Sequence, residues 1–247
     1  MGFLLDNIII AAGLLRAGYP MGRAEIACLR RRLDDICETC RKRSYDIYTG
    51  EDEYAGIPKA FRTKPFVKPE LTPDGESRLP YIHDIYALAH LPDDLRDAVT
   101  ARKIEAVIRY VLDPGYQTLN EGYGYLRQQD GNHAHHYATG WSARLPDCGR
   151  GSVEGFQRAG IVQRMELMAR FPAAWKSQVF RDCLAHLEDL RTDRGTHIFP
   201  RDYLREQQSG YWVTGAYMAL EDNRRSPRAI ELESTFRMLR IKRLAGH

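Results

Sequence analysis

Asn120–Ser142, NEGYGYLRQQDGNHAHHYATGWS, is the stretch on which the fold reading turns. It carries Glu121, the histidines His133, His135 and His136, the tyrosines Tyr123, Tyr125 and Tyr137, and Trp141, in a run broken by glycines. That density of polar and aromatic groups between glycines reads as a loop held on a helical scaffold. Loops on rigid elements are where binding and catalytic groups collect. With no convincing strand here or elsewhere, the chain reads as all-α.

The flanks support a helical frame. Before the stretch, Ala98–Leu112 places Ile104, Val107, Ile108 and Val111 on one helical side, and Asp113-Pro114-Gly115 stops it. After it, helices are expected over Val153–Arg170 and Ala173–Arg191, joined at Phe171-Pro172, the second burying Trp175, Val179, Phe180, Cys183, Leu187 and Leu190. A loop over Gly195–Gly210 leads to a last pair, Tyr211–Leu220 and Pro227–Leu244. Ser226-Pro227 opens the latter, and its late basic residues match the helix dipole.

Toward the N-terminus, Leu4–Arg16 reads as a buried helix stopped by Gly18-Tyr19-Pro20. Arg23–Arg43 carries an apolar stripe of Ile26, Leu29, Leu33, Ile36, Cys37 and Cys40. Ser44–Leu79 differs in kind: Pro58, Pro65, Pro69 and Pro73 punctuate it, and it reads as an extended strap, with a short helix near Tyr54–Phe61 as the alternative. Helical pattern resumes at Pro80–Leu91. The organisation expected is one helical domain: an N-terminal helix pair to residue 43, a Pro-rich strap over 44–79, and helix pairs over 80–247.

Length and composition narrow the classes. A chain of 247 residues can bury a full core, and 43% hydrophobic with 28% charged residues is ordinary for a globular protein. A net charge of +3 gives no concentrated basic case for nucleic acid. Five cysteines, an odd number set mostly in helical patterns, suit a reducing compartment. The apolar run Phe3–Leu15 has no basic residue ahead of it, contains Asp6 and Asn7, and is too short to span a bilayer. Gly2 lacks the Ser or Thr that myristoylation needs at position six, so a cytoplasmic, soluble protein is the expectation.

The pairs Tyr81–Leu112 and Tyr211–Leu244 share a plan of short aromatic helix, charged turn and longer helix. These repeated αα-hairpins, YWVTGAYMAL (Tyr211–Leu220) and the Gly-Tyr-rich connections resemble the α/α-toroid proteins, among them terpenoid cyclases and protein prenyltransferase β-subunits. The resemblance covers Pro80–Leu244. It implies concentric helices, as a complete or partial ring, around an aromatic-lined cavity. Two departures stand against carrying over either activity. The Asp-x-Asp-Asp motif of squalene-type cyclases is absent, Pro92-Asp93-Asp94 lacking the first Asp. The zinc set of prenyltransferases is not reproduced, Asp182-Cys183 being adjacent.

Candidate chemistry centres on the opening stretch. If it were extended, His133 and His135 would share a side and His136 would face the other. Histidines suit general acid–base work or metal ligation, with Glu121 or Asp130 as the nearest carboxylate. The plainer reading is a solvated His-rich loop. His83 and Asp84 open a helix after the strap and either face a cavity mouth or serve the helix N-terminus. Cys37 and Cys40 read as core packing rather than a redox pair, and Asp182 with His186 as a flank pair. Tyr123, Tyr125, Trp141, Tyr203, Tyr211, Trp212 and Tyr217 are candidate substrate-binding aromatics, against the plainer reading that they seal helix ends. The Arg30–Arg32 run and Asn223-Arg224-Arg225 could hold a diphosphate or sit in solvent.

Three functions fit these residues. The leading expectation is a toroid-like enzyme that uses Glu121, His135, His136, Tyr137 and His83 or Asp84 on a small apolar or isoprenoid-like substrate. The second is a carbohydrate-processing enzyme with Glu121 and Asp84 as paired carboxylates. The third is a non-enzymatic helical module that binds a ligand or partner. The sequence names no cofactor, metal or oligomeric state, and points to a small-molecule substrate rather than nucleic acid.

Overall fold

The computed structural model describes residues 4–50, 57–61, 63–73, 76–120, 122–130, 132–139, 142–145, 155–204 and 226–246. The described residues are mostly helical, with one two-stranded sheet. They form two compact units: Met1–Val111 with Thr118–Ala143, and Leu112–Gln117 with Arg144–His247.

In the first unit, α1 (Leu4–Arg16) packs on α2 (Arg23–Lys42) and α3 (Ile82–Ala89), and α2 packs on α4 (Ala98–Val111). Leu29, Leu33, Ile36, Cys37 and Cys40 form the buried stripe of α2, and Ile104, Val107, Ile108 and Val111 that of α4, as the spacing predicts. Burial raises the thiols of both Cys37 and Cys40, so they act as small apolar side chains. Gly18, at φ +75°, closes α1: its N–H bonds Leu15 and that of Tyr19 bonds Leu14, the paired bonds of a glycine C-terminal stop. No helix among the described residues is long and apolar enough to cross a membrane.

All eight residues of α3 are buried, so this short helix is the centre of the unit and stands by packing rather than by propensity. Its polar members are accommodated individually. Asp84 accepts the Tyr81 backbone N–H at 2.8 Å and pairs with Arg32 of α2, whose Nε and Nη2 reach its two oxygens at 2.9 and 2.8 Å. Arg32 also donates to the carbonyls of Ser77 and Leu79, and its guanidinium lies 5.6 Å from the Tyr81 ring centroid. Arg32 is 4% exposed and Asp84 1%. The Arg30–Arg32 run is therefore not a uniform solvated or anion-holding face: its third member ties α2, the end of the strap and α3 together.

Burial lowers the His83 imidazole to about 4, with the Asp84 carboxylate opposing part of that shift. The folded protein holds it neutral where an unfolded chain, titrating near 6.5, binds a proton. Between these values the unfolded state binds more protons, so stability is full above pH 6.5 and is lost as pH falls towards 4. The shift corresponds to about 3 kcal/mol. His83→Gln is expected to flatten that part of the stability–pH curve; an unchanged slope between pH 6.5 and 4 would assign it to other groups.

The strap folds back on itself. Tyr48 bridges Val67, with Thr49 N–H donating to Phe66 and Lys68 N–H to Ile47, both at 2.9 Å. Short 3-10 turns form at Lys59–Phe61, where the sequence offered a short helix as the alternative, and at Pro69–Leu71. Beside it, the stretch read as a loop is a β-hairpin, β1 (Gly124–Asp130) and β2 (His133–Thr139), antiparallel with Gly124 opposite Thr139 and Asp130 opposite His133. The physical reason is a third run of backbone. Tyr125 donates to the Pro65 carbonyl and accepts from Val67 N–H, both at 2.9 Å, so the strap lends the hairpin an outer edge.

The second unit contains α5 (Pro114–Gln117), α6 (Gly155–Met168), α7 (Pro172–Trp175), α8 (Gln178–Glu188) and α9 (Pro227–Leu244). The helix expected over Ala173–Arg191 is two pieces, because Ser177 turns extended (ψ 135°) before α8. Ser226 caps α9 by accepting from Ala229 N–H at 3.1 Å, with Pro227 in its first turn. α6 packs on α8 and α9. Arg237 of α9 bonds Glu166 of α6 at 3.0 Å and, within its own helix, Glu233 at 3.3 Å. Of the two helix pairs offered as a repeat, Tyr81–Leu112 contains α3 and α4. In the other, Tyr211–Leu220 lies outside the described residues.

Candidate functional site

The hairpin sorts the histidines by strand alternation. Tyr125 and Arg127 share a face with Ala138, His136 and Ala134; Leu126 and Gln128 share the other with Tyr137, His135 and His133. The first face is the anchored one. His136 stacks on Phe61 at 5.1 Å between ring centroids and meets Phe66 edge-on at 5.6 Å. Tyr125 lies 5.4 Å from Phe61 and 5.8 Å from Phe66. Four rings thus pack between hairpin and strap, and such pairs add to simple area burial. The His136 Nε2 is buried there with no hydrogen-bond partner among the described residues.

The other face looks outward. His133 and His135 are exposed, Tyr137 is 51% exposed, and the His135 and Tyr137 rings are stacked 6.1 Å apart. The expected division of His133 and His135 from His136 holds. His135, His136 and Tyr137 therefore do not converge on one reacting atom.

Tyr123 is buried at φ +59° with its hydroxyl donating to the Pro80 carbonyl and its ring 6.0 Å from Tyr81. It continues the Asp84–Arg32–Tyr81 assembly. Asp84 lies inside this assembly rather than at a cavity mouth, both oxygens accepting hydrogen bonds, and His83 is buried beside it in sequence. Tyr203 belongs to the second unit, where its hydroxyl meets His186 at 2.7 Å; Asp182, the expected flank partner of His186, accepts instead from Gln178. Glu121, Trp141, Tyr211, Trp212, Tyr217 and the run Asn223-Arg224-Arg225 lie outside the described residues. Among the described residues no group of three or more His, Cys, Asp or Glu side chains is placed to hold a metal ion.

Two contributors were missed by the sequence reading, Phe61 and Phe66. Both sit in the proline-punctuated strap, where no period points to burial; their signal was only that a Pro-rich stretch retained large aromatic residues.

The hairpin's own bonding fixes what its free side offers. Tyr125 directs both backbone groups to the strap, so Tyr125–Ala138 is a non-hydrogen-bonded pair of the hairpin. By alternation, so are Arg127–His136 and Gln129–Ala134. The outward-directed N–H and C=O groups of β2 are then those of Ala134, His136 and Ala138. No other strand among the described residues pairs with that edge. Compared with protein-family models, curated proteins and solved structures, the chain matches none.

Proposed function

We propose that this chain is a non-enzymatic binding module that takes an extended segment of a partner protein along the outer edge of β2. The observation that carries the reading is the outer edge of β2, which no strand among the described residues pairs. Natural edge strands are blunted by Lys, Pro, bulges or brevity, and β2, HAHHYAT, has seven residues, no formal charge and no proline. A strand docking there gains main-chain hydrogen bonds, with specificity from alternate side chains. Leu126, Tyr137 and His135 on the exposed face suit a partner with aromatic or apolar residues at alternate positions. The rings packed behind the hairpin keep the edge in place before binding, which limits the ordering cost.

A photocrosslinking residue at position 137 is expected to capture a partner, and Ala134→Pro, which removes an outward N–H while sparing the hairpin's own bonds, to abolish capture with circular dichroism unchanged. Hydrogen exchange at residues 133–139 should slow when the captured partner is added. Capture unaffected by Ala134→Pro, or capture of a second copy alone, would overturn the reading.

The α/α-toroid enzyme remains the second reading, supported by His136. A half-buried imidazole with an unsatisfied Nε2 among aromatic rings is a candidate acid–base group towards an apolar substrate. Under that reading His136→Ala removes turnover of an apolar or isoprenoid-like substrate while Ala134→Pro does not. Carbohydrate cleavage by Glu121 and Asp84 draws less support, because both Asp84 oxygens are occupied by Arg32 and the Tyr81 N–H.

A further inference from the structure

A groove of about 340 Å³ runs beside α4 and the C-terminal end of α2, bordered by Arg41, Arg43, Arg102 and Arg109. Arg102 and Arg109 are seven residues apart on one helix, so they lie about 20° from alignment on the same face, two turns apart. Ala106 lies between them, and its short side chain lets the groove descend to Cys40. Four arginines and one carboxylate line it, and that carboxylate, Glu105, accepts from Arg109 at 2.6 Å.

The ordinary explanation for basic residues at such a place is compensation of a helix C-terminus. It covers Arg41 and Lys42, the latter already paired with Glu38 at 3.5 Å. It does not cover Arg102, which stands in the N-terminal half of α4 with its Nε donating to the Ala98 carbonyl at 3.1 Å. Arg43, the C-cap of α2, has its charge covered in the same way, but not its backbone. That residue ends α2 in the left-handed conformation, φ 49° and ψ 32°, which glycine adopts without penalty and arginine does not.

We propose that this groove binds a small ligand carrying a diphosphate or two neighbouring phosphate groups. Arginine forks match phosphate oxygens two at a time, and a dianionic or trianionic group offsets the excess of four arginines over one carboxylate in the lining. Cys40 takes no chemical part: burial raises its thiol well above the ordinary value, so it neither repels an anion nor attacks one. The site lies apart from the hairpin edge in sequence and chemistry, and does not depend on that edge binding a partner.

Inorganic pyrophosphate titrated calorimetrically into the full chain at low ionic strength is the probe, with inorganic phosphate and citrate as comparison arms. Saturable one-to-one uptake of pyrophosphate is expected, at least tenfold tighter than either comparison anion. Arg102→Gln with Arg109→Gln should weaken it at least tenfold, and Arg194→Gln, an exposed arginine of the other unit, should leave it unchanged. Arg43→Gly should weaken binding while raising Tm, a split that a purely structural arginine would not give. Equal loss in the Arg194 variant, non-saturating uptake, or citrate binding as tightly as pyrophosphate would each overturn the proposal.

Discussion

Arg32→Ala is expected to destabilise the first unit by about 3–5 kcal/mol, the range for removing one partner of a buried ion pair. Arg32 bonds both Asp84 oxygens and the carbonyls of Ser77 and Leu79, all within the interior. Truncation leaves a carboxylate buried without its counter-ion and two carbonyls without donors. An exposed pair of the same composition contributes about 1 kcal/mol or less. The paired change Arg32→Met with Asp84→Leu should recover only part of the loss, because Asp84 also satisfies the Tyr81 N–H. Urea unfolding followed by circular dichroism, with hydrogen exchange in α2 and α3, measures both. A loss under about 1 kcal/mol for Arg32→Ala would mean that the pair is solvated in solution.

Gly124→Ala is the second large effect. Gly124 sits at φ +141°, and a Cβ built there falls 2.3 Å from the Pro65 carbonyl oxygen. The backbone conformation alone costs a non-glycine residue about 1–3 kcal/mol. Relieving the overlap would also pull Tyr125 from its bonds to Pro65 and Val67. The expected result is a loss of at least about 2 kcal/mol with faster exchange of the Tyr125 and Val67 amides. Gly13→Ala is the matching control. It lies within α1 with nothing within 4 Å of the added methyl, so it should be neutral or stabilise by up to about 1 kcal/mol. Equal behaviour of the two variants would refute the role given to the Pro65 contact.

The long amphipathic helices were legible because their burial is one-sided: the stripes of α2 and α4 repeat at three and four residues and nothing competes with that pattern. The hairpin was not. β1 and β2 contain no Val or Ile and one Thr, so strand propensity is weak. One face of the hairpin is covered by Phe61 and Phe66 and the other faces water, and seven residues of GYLRQQD show little alternation to betray it. A usable signal was present. Gly131-Asn132 between two runs of equal length is a hairpin-turn dipeptide. Arg32 was misread by charge rather than by phase: positions 29, 32, 33 and 36 share one side of a helix, so its place on the buried stripe was written in the spacing. The groove arginines were scattered between two helices in sequence, and only the packing of α2 on α4 brings them together.

The interleaving of the two units along the chain has a consequence for synthesis. Translation delivers the N-terminal segment first, and domains tend to fold in the order in which they emerge. A nascent chain ending at Val111 already has its four helices and the strap, yet it lacks Tyr123 to meet Pro80 and Tyr125 to meet the strap at residues 65–67. Until the hairpin arrives, the strap presents an unpaired N–H and C=O pair beside the uncovered rings of Phe61 and Phe66. That interval leaves these groups open to aggregation or to chaperone capture, and a ribosome paused just after Val111 would lengthen it.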